Sequence, residues 1–160
     1  MKMGIIIIFN NYEKSLNVAS FIKSLNKIKS IQFCLVNNDS QDETNLLLEE
    51  IKYDCNNVTV VNIKKFKSDV SAVKSGARYM FNQFKLNHLG YINTNVLHNK
   101  FENLITLIKT VDEYQNALIE FDKKENSDKK KTLFQKLFSV MDYVIRLKLE
   151  KIKGNLQHKV

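Results

Sequence analysis

Four apolar runs constrain the fold more than any other feature: GIIIIF (4–9), IQFCLV (31–36), VTVVNI (58–63) and HLGYIN (88–93). Runs this short and this rich in β-branched residues do not suit a surface helix. They suit strands buried on both faces of a largely parallel sheet. Between them the apolar residues change period. Leu16, Ala19, Phe21, Ile22, Leu25 and Ile28 fall on one helical stripe, and Val70, Val73, Ala77, Met80, Phe81 and Phe84 on another; Leu46, Leu47, Glu50 and Ile51 make a less regular third. A strand followed by a crossover helix, repeated, is an α/β domain.

Helix starts are marked by side chains that accept from unpaired amides: Ser15, then Ser40 or Asp42, then Ser68 or Asp69. The chain has no proline and four glycines, so Asn and Asp take over the turns. Beyond Asn95 the sequence predicts a helix over 100–111, a short apolar segment NALIEF (116–121) and a charged loop over 123–131. A long amphipathic helical segment over 132–154 and a tail over 155–160 follow. With 160 residues, 44% of them hydrophobic, one core is expected, in a domain spanning 1–122. The stripe of the 132–154 segment fits docking on the sheet, a homodimer seam, or a position in a membrane interface with its basic side toward anionic lipid.

The N-terminal MKMGIIIIF has a lysine before an apolar run, as a signal peptide does, but no small-residue cleavage site follows, and the run reads as a strand. No apolar stretch approaches the ~20 residues of a spanning helix. Cys34 and Cys55 have no His or Cys at ligand spacing, so free thiols and a reducing cytoplasm are expected. Twenty-five Lys and Arg against 17 Asp and Glu give +8, clustered in KKFK (64–67), KKENSDKKK (123–131) and RLKLEKIK (146–153). Such patches suit a nucleotide diphosphate, anionic lipid or another polyanion, and equally a solvated basic surface. Nucleic acid is not an expected partner, because the interleaved aromatic platform for bases is missing.

In an open parallel sheet, ligands collect at the carboxyl ends of the strands. Those ends carry FNNYE (9–13), NNDSQDET (37–44), KKFKSD (64–69) and NTN (93–95). Neither a G-x-G-x-x-G nor a G-x-x-x-x-G-K-[ST] is present, so dinucleotide-binding and P-loop signatures are absent. His88, His98 and His158 stand in no Ser-His-acid or Cys-His pattern.

The order of these segments resembles family 2 inverting glycosyltransferases of the GT-A fold. IIIIFNNYEKSL is similar to the family's first strand and P-x-Y-N-E loop, and CLVNNDSQDET to its VVDDGSxDxT. DVSAVKSGARYM resembles SAAVKAGLRYA of the polyprenyl-phosphate sugar transferase branch, which includes the dolichyl-phosphate mannosyltransferase-like proteins. HLGYINTNVLHNKFENLITLI resembles YIGFLDADLSTPPEELPKLI, and the 132–154 segment is similar to the basic helix at the membrane face in that branch.

The resemblance implies a nucleotide-sugar site drawn from Phe9, Asn11, Glu13, Asn37, Asn38, Asp39, Ser71, Lys74 and Asn93. Asn37 and Asn38 take the places of two aspartates that read base and ribose, and Asp39 the place of a glycine. Asn93 and Asn95 take the places of the D-x-D carboxylates that hold Mg²⁺ or Mn²⁺ against the diphosphate, and two neutral amides supply no charge for a hard cation. No residue matches the family's catalytic base; Glu120 and Asp122 fall near its place. Family members continue, past the position of Val160, into an acceptor-binding region. The implied activity is glycosyl transfer to a lipid phosphate or glycan hydroxyl. The alternative is an inactive relative acting as a dimer or as partner of a complete transferase.

Overall fold

The computed structural model describes residues 3–99, 103–128 and 130–158. Five parallel strands lie in the order β3-β2-β1-β4-β5: β1 (Met3–Phe9), β2 (Ile31–Asn38), β3 (Val58–Ile63), β4 (His88–Asn93) and the two-residue β5 (Phe138–Ser139). Helices α1 (Val18–Lys27), α2 (Thr44–Asp54) and α3 (Asp69–Gln83) connect the first four strands. Helices α4 (Leu104–Glu113), α5 (Gln115–Glu125) and α6 (Val140–His158) follow. The arrangement is a three-layer, Rossmann-like α/β fold, with the parallel sheet and crossover helices that the alternation of apolar runs predicts.

Alternation along β1 explains its unbroken apolar run. Ile5, Ile7 and Phe9 face the layer formed with α1, α2, α4, α5 and α6, whereas Ile6 and Ile8 pack with Ala72, Val73, Ala77 and Met80 of α3. All seven residues of β1 are buried, as suits a central strand covered on both sides. Gly76 of α3 lets that helix approach closely: a Cβ there would lie 2.9 Å from Ile6 Cγ2 and 3.0 Å from Val36 Cγ2.

Several local expectations shift. Helix α1 is capped by Asn17, whose side chain accepts from the Ser20 amide, while Ser15 ends a 3-10 turn (Glu13–Ser15). Helix α2 buries Thr44, Leu48 and Ile51 and leaves Leu46 62% exposed, because three successive leucines obscure the helical phase. Ser68 caps α3 as expected, but Val70 lies outside the buried stripe. The NALIEF segment is the body of α5, which runs on through Lys123 and Lys124 into the charged stretch. The 132–154 segment is not one helix: a 3-10 turn (Phe134–Lys136) and β5 precede α6.

That break lets the C-terminal segment dock against the sheet. Phe138 lies over Gly90 of β4 so closely that a Cβ on residue 90 would come within 2.6 Å of its ring. The ring also stacks on Tyr143, with centroids 4.5 Å apart. Beneath it, at the start of β4, His88 Nδ1 and Asp122 Oδ2 are 2.6 Å apart and buried, and the Tyr143 hydroxyl donates to Asp122 Oδ1 at 3.1 Å. Burial and the neighbouring Asp122 carboxylate push the Tyr143 phenol well above its usual range. No helix among the described residues is long and apolar enough to cross a membrane.

Candidate functional site

The strand order reverses between β1 and β4, which are hydrogen-bonded neighbours running parallel. A crevice at the carboxyl ends is expected at such a switch point. The loops there are joined by short polar side chains.

After β1, Asn10 Nδ2 donates to the Asn38 carbonyl (2.6 Å), and Asn11 Oδ1 accepts from the Gln41 amide (2.7 Å). The Tyr12 amide donates to Thr44 Oγ1 (2.8 Å) and the Glu13 amide to Asp42 Oδ2 (3.2 Å), while Glu13 Oε2 accepts from the Glu43 amide (3.3 Å). Partial burial alone would raise the Asp42 pKa; the hydrogen bonds from Thr44 and from the Glu13 amide hold it below the usual carboxylate range.

After β2, Asn37 Oδ1 accepts from the Ser40 amide (3.3 Å) and its Nδ2 donates to Asn62 Oδ1 (3.3 Å). Asn38 is fully buried; its Nδ2 donates to the Lys67 carbonyl (2.9 Å) and its Oδ1 accepts from the Lys67 amide (3.1 Å). Asp39 stands at φ 51°, as Asn11 does at φ 48°, the left-handed backbone a glycine would adopt most easily.

A cleft of about 410 Å³ opens at the end of β4, between the first turns of α3 and α6. Its polar lining is Asp69, Lys74, Tyr91, Asn93, Ser139 and Asp142, over an apolar floor that includes Val73, Leu137 and Met141. Asn93 Nδ2 donates to Asp69 Oδ2 (2.7 Å), and its Oδ1 accepts from the Asn95 amide (2.9 Å). Thr94 is buried, and its hydroxyl donates to the Ile8 carbonyl (2.7 Å), tying the end of β4 to β1.

Lys74 and Asn93 of the expected site residues thus line one cleft. Asn11, Glu13, Asn37, Asn38 and Asp39 form the adjoining loop network, which reaches the cleft through Lys67, Ser68 and Asp69. Ser71 sits in the first turn of α3, its amide donating to Ser68 Oγ (3.3 Å), and Asn95 is exposed. Two positions differ in character from the expectation. The Phe9 side chain is fully buried against Tyr12 and Phe21, so it belongs to the core. The Asn38 amide is engaged by backbone on both sides, so it braces the loops.

Asp122 belongs to the buried network at the opposite end of β4, and Glu120 is an exposed partner of Lys123 (3.3 Å), so neither lies at the cleft. The side chains of His98 and His158 fall outside the described residues. Sequence reading missed Tyr91, Ser139 and Asp142; Ser139 and Asp142 are marked only as polar residues set in the apolar FSVMD (138–142), and Tyr91 lies within the fourth apolar run.

The family resemblance calls for Mg²⁺ or Mn²⁺ here, and the donors do not fit. Asn93 presents its NH₂ to a carboxylate and its carbonyl to a backbone amide, and among the described residues no three His, Cys, Asp or Glu side chains cluster to hold a metal ion.

No family model matches the sequence, and no curated protein matches it. Among solved structures, S. aureus TarS (1–349) is similar to this chain at 16% identity and a TM-score of 0.45, over 72% of this chain and 33% of that one. The chain therefore spans about a third of that chain's length.

Proposed function

We propose that this chain is a glycosyltransferase-like domain of the GT-A type that binds a nucleotide-diphosphate sugar across the carboxyl ends of β1 to β4. One observation carries the reading: the strand-end segments that resemble the family in sequence fold into one connected polar rim beside a cleft at the carboxyl end of β4, next to the switch point. The reaction is inverting transfer by direct displacement: an acceptor oxygen, from a lipid phosphate or glycan hydroxyl, attacks the anomeric carbon as the nucleoside diphosphate leaves. A hydroxyl acceptor needs a base within reach of its proton. Asp142, on the first turn of α6 and across the cleft from α3, is the carboxylate in place for that role. Calorimetric titration with UDP-, GDP- and dTDP-sugars tests the reading. Saturable binding of one donor is expected, with Asp142→Asn retaining binding and losing transfer; no binding by any donor at millimolar concentration sinks it.

A second reading is favoured by the far part of α6, where Leu149 and Ile152 are 54% and 55% exposed among Lys148, Lys151 and Lys153. In that reading the domain is inactive and works through this helix, as a homodimer, as partner of a complete transferase, or on anionic lipid at the inner face of a membrane. Light scattering, with the chain alone and mixed with a complete transferase, and flotation with anionic vesicles decide it: a chain that pairs neither with itself nor with the transferase and does not float removes it, as does turnover by the chain alone.

A further inference from the structure

We infer that the cleft takes its ligand without a divalent cation: the Asp69–Asn93 pair fills the place where a metal is expected, and Lys74 supplies the positive charge for a diphosphate. The role of Lys74 rests on the nucleotide-sugar reading above; the absence of a cation site does not.

The two bonds of Asn93 fix which way its amide points. Nδ2 faces a carboxylate oxygen, which only accepts, and Oδ1 faces a backbone N–H, which only donates. Exchanging the two atoms would break both bonds, so the carbonyl, the atom a hard cation would need, is turned toward the chain. An aspartate at residue 93 would place a second carboxylate within hydrogen-bond distance of Asp69, and two such groups repel unless a cation or a proton lies between them. The amide is therefore matched to Asp69: it ties the start of α3 to the end of β4 by an uncharged donor, where a carboxylate would require an ion. Mg²⁺ sites usually rely on one or two carboxylates besides phosphate oxygens. Here the carboxylate of Asp69 already has a partner in the protein.

A bound diphosphate must still find positive charge. Lys74 is the cation among the residues lining the cleft, five residues along α3 from Asp69. The lysines of the loop after β3, Lys64, Lys65 and Lys67, are exposed and add to the field at the rim. Asp69 and Asp142 share the cleft with Lys74, so the cleft has no surplus of positive charge, and an anion gains only by direct contact with the ammonium. Binding should be modest and sensitive to salt.

Thermal unfolding of the full chain with and without Mn²⁺, in the absence of any nucleotide, reads the cation site directly. The wild-type melting temperature should not respond to Mn²⁺. Asn93→Asp should melt lower than wild type without metal and recover with Mn²⁺, because the new carboxylate beside Asp69 completes a pair. A saturable rise for wild type overturns the inference, and so does an Asn93→Asp variant indifferent to Mn²⁺. Titration with the nucleotide sugars in EDTA and in Mn²⁺ reads the second half. Equal affinity in both, falling about 10-fold or more in Lys74→Met, is expected for loss of a charge-assisted contact. Binding that requires Mn²⁺, or that ignores Lys74→Met, overturns it. Failure of every donor in both solutions rejects the nucleotide-sugar reading and the role of Lys74 with it, while the melting experiment still decides the Asp69–Asn93 pair.

Discussion

Asp39 holds the left-handed conformation at φ 51°, where its amide donates to the Ile63 carbonyl (3.0 Å) and its Oδ1 accepts from Gln41 Nε2 (3.2 Å). Asp tolerates this backbone better than a branched residue does. Asp39→Val should cost about 1–2 kcal/mol and Asp39→Gly very little, read by urea denaturation. Cys34, buried beneath α3, makes a second residue-scale prediction. Burial pushes its thiol up to about 12, from an ordinary 9.0. Above pH 9 the unfolded chain releases that proton while the folded chain keeps it, so stability should fall as pH rises from 9 toward 12. Cys34→Ala should flatten that fall, and a thiol reagent at pH 8 should label residue 34 only as the chain unfolds. At this scale the sequence was partly legible. The strand-end Asn and Asp residues mark the rim, but the orientation of the Asn93 amide depends on Asp69, 24 positions earlier, and no local pattern encodes it.

Among elements, β1 to β4 are legible because each is a short apolar run: β1, β2 and β4 are largely buried on both faces, while β3, at the sheet edge, is buried only in part; the structure adds Met3 to β1 and Asn37 and Asn38 to β2. The C-terminal segment is not legible in the same way. Leu133, Phe134, Leu137 and Phe138 read as a helical stripe, yet a 3-10 turn and β5 occupy those positions, because parallel pairing of Phe138 with Gly90 prevails over local period. Gly90→Ala tests that docking. Its methyl group would meet the Phe138 ring and Val140 Cγ2, an overpacking that should cost about 1–3 kcal/mol and speed proteolysis of the 126–137 connection. Gly154→Ala, where nothing lies within 4 Å, should be neutral or slightly stabilising as a helical Gly→Ala change.

In the whole molecule, one core runs from the central strand to the last helix. Phe138, Val140, Met141, Tyr143 and Val144 are each at most 7% exposed, and at about 2 kcal/mol apiece their burial rivals the net stability of a domain. A chain cut after Glu125 should lose cooperative unfolding by circular dichroism. A chain cut after Lys148 should keep it, within about 1 kcal/mol, since the side chains of 149–153 that it gives up are exposed and the Lys151–Tyr114 contact (3.0 Å) lies at the surface. The overall architecture was therefore readable from the order of apolar runs. The cleft was not, because α3 and α6 bring its walls together from distant parts of the sequence.

The Lys67 amide belongs to an exposed lysine in a loop with no regular structure, and a neighbour-by-neighbour view makes it a fast exchanger with solvent deuterium. Its acceptor is the Oδ1 of a side chain with no exposure at all. Exchange at this position must wait until Asn38 leaves its seat between β2 and the loop after β3, so it should be as slow as exchange in the neighbouring strands. A single slow amide in a lysine-rich loop would thus report how often the entire rim comes apart.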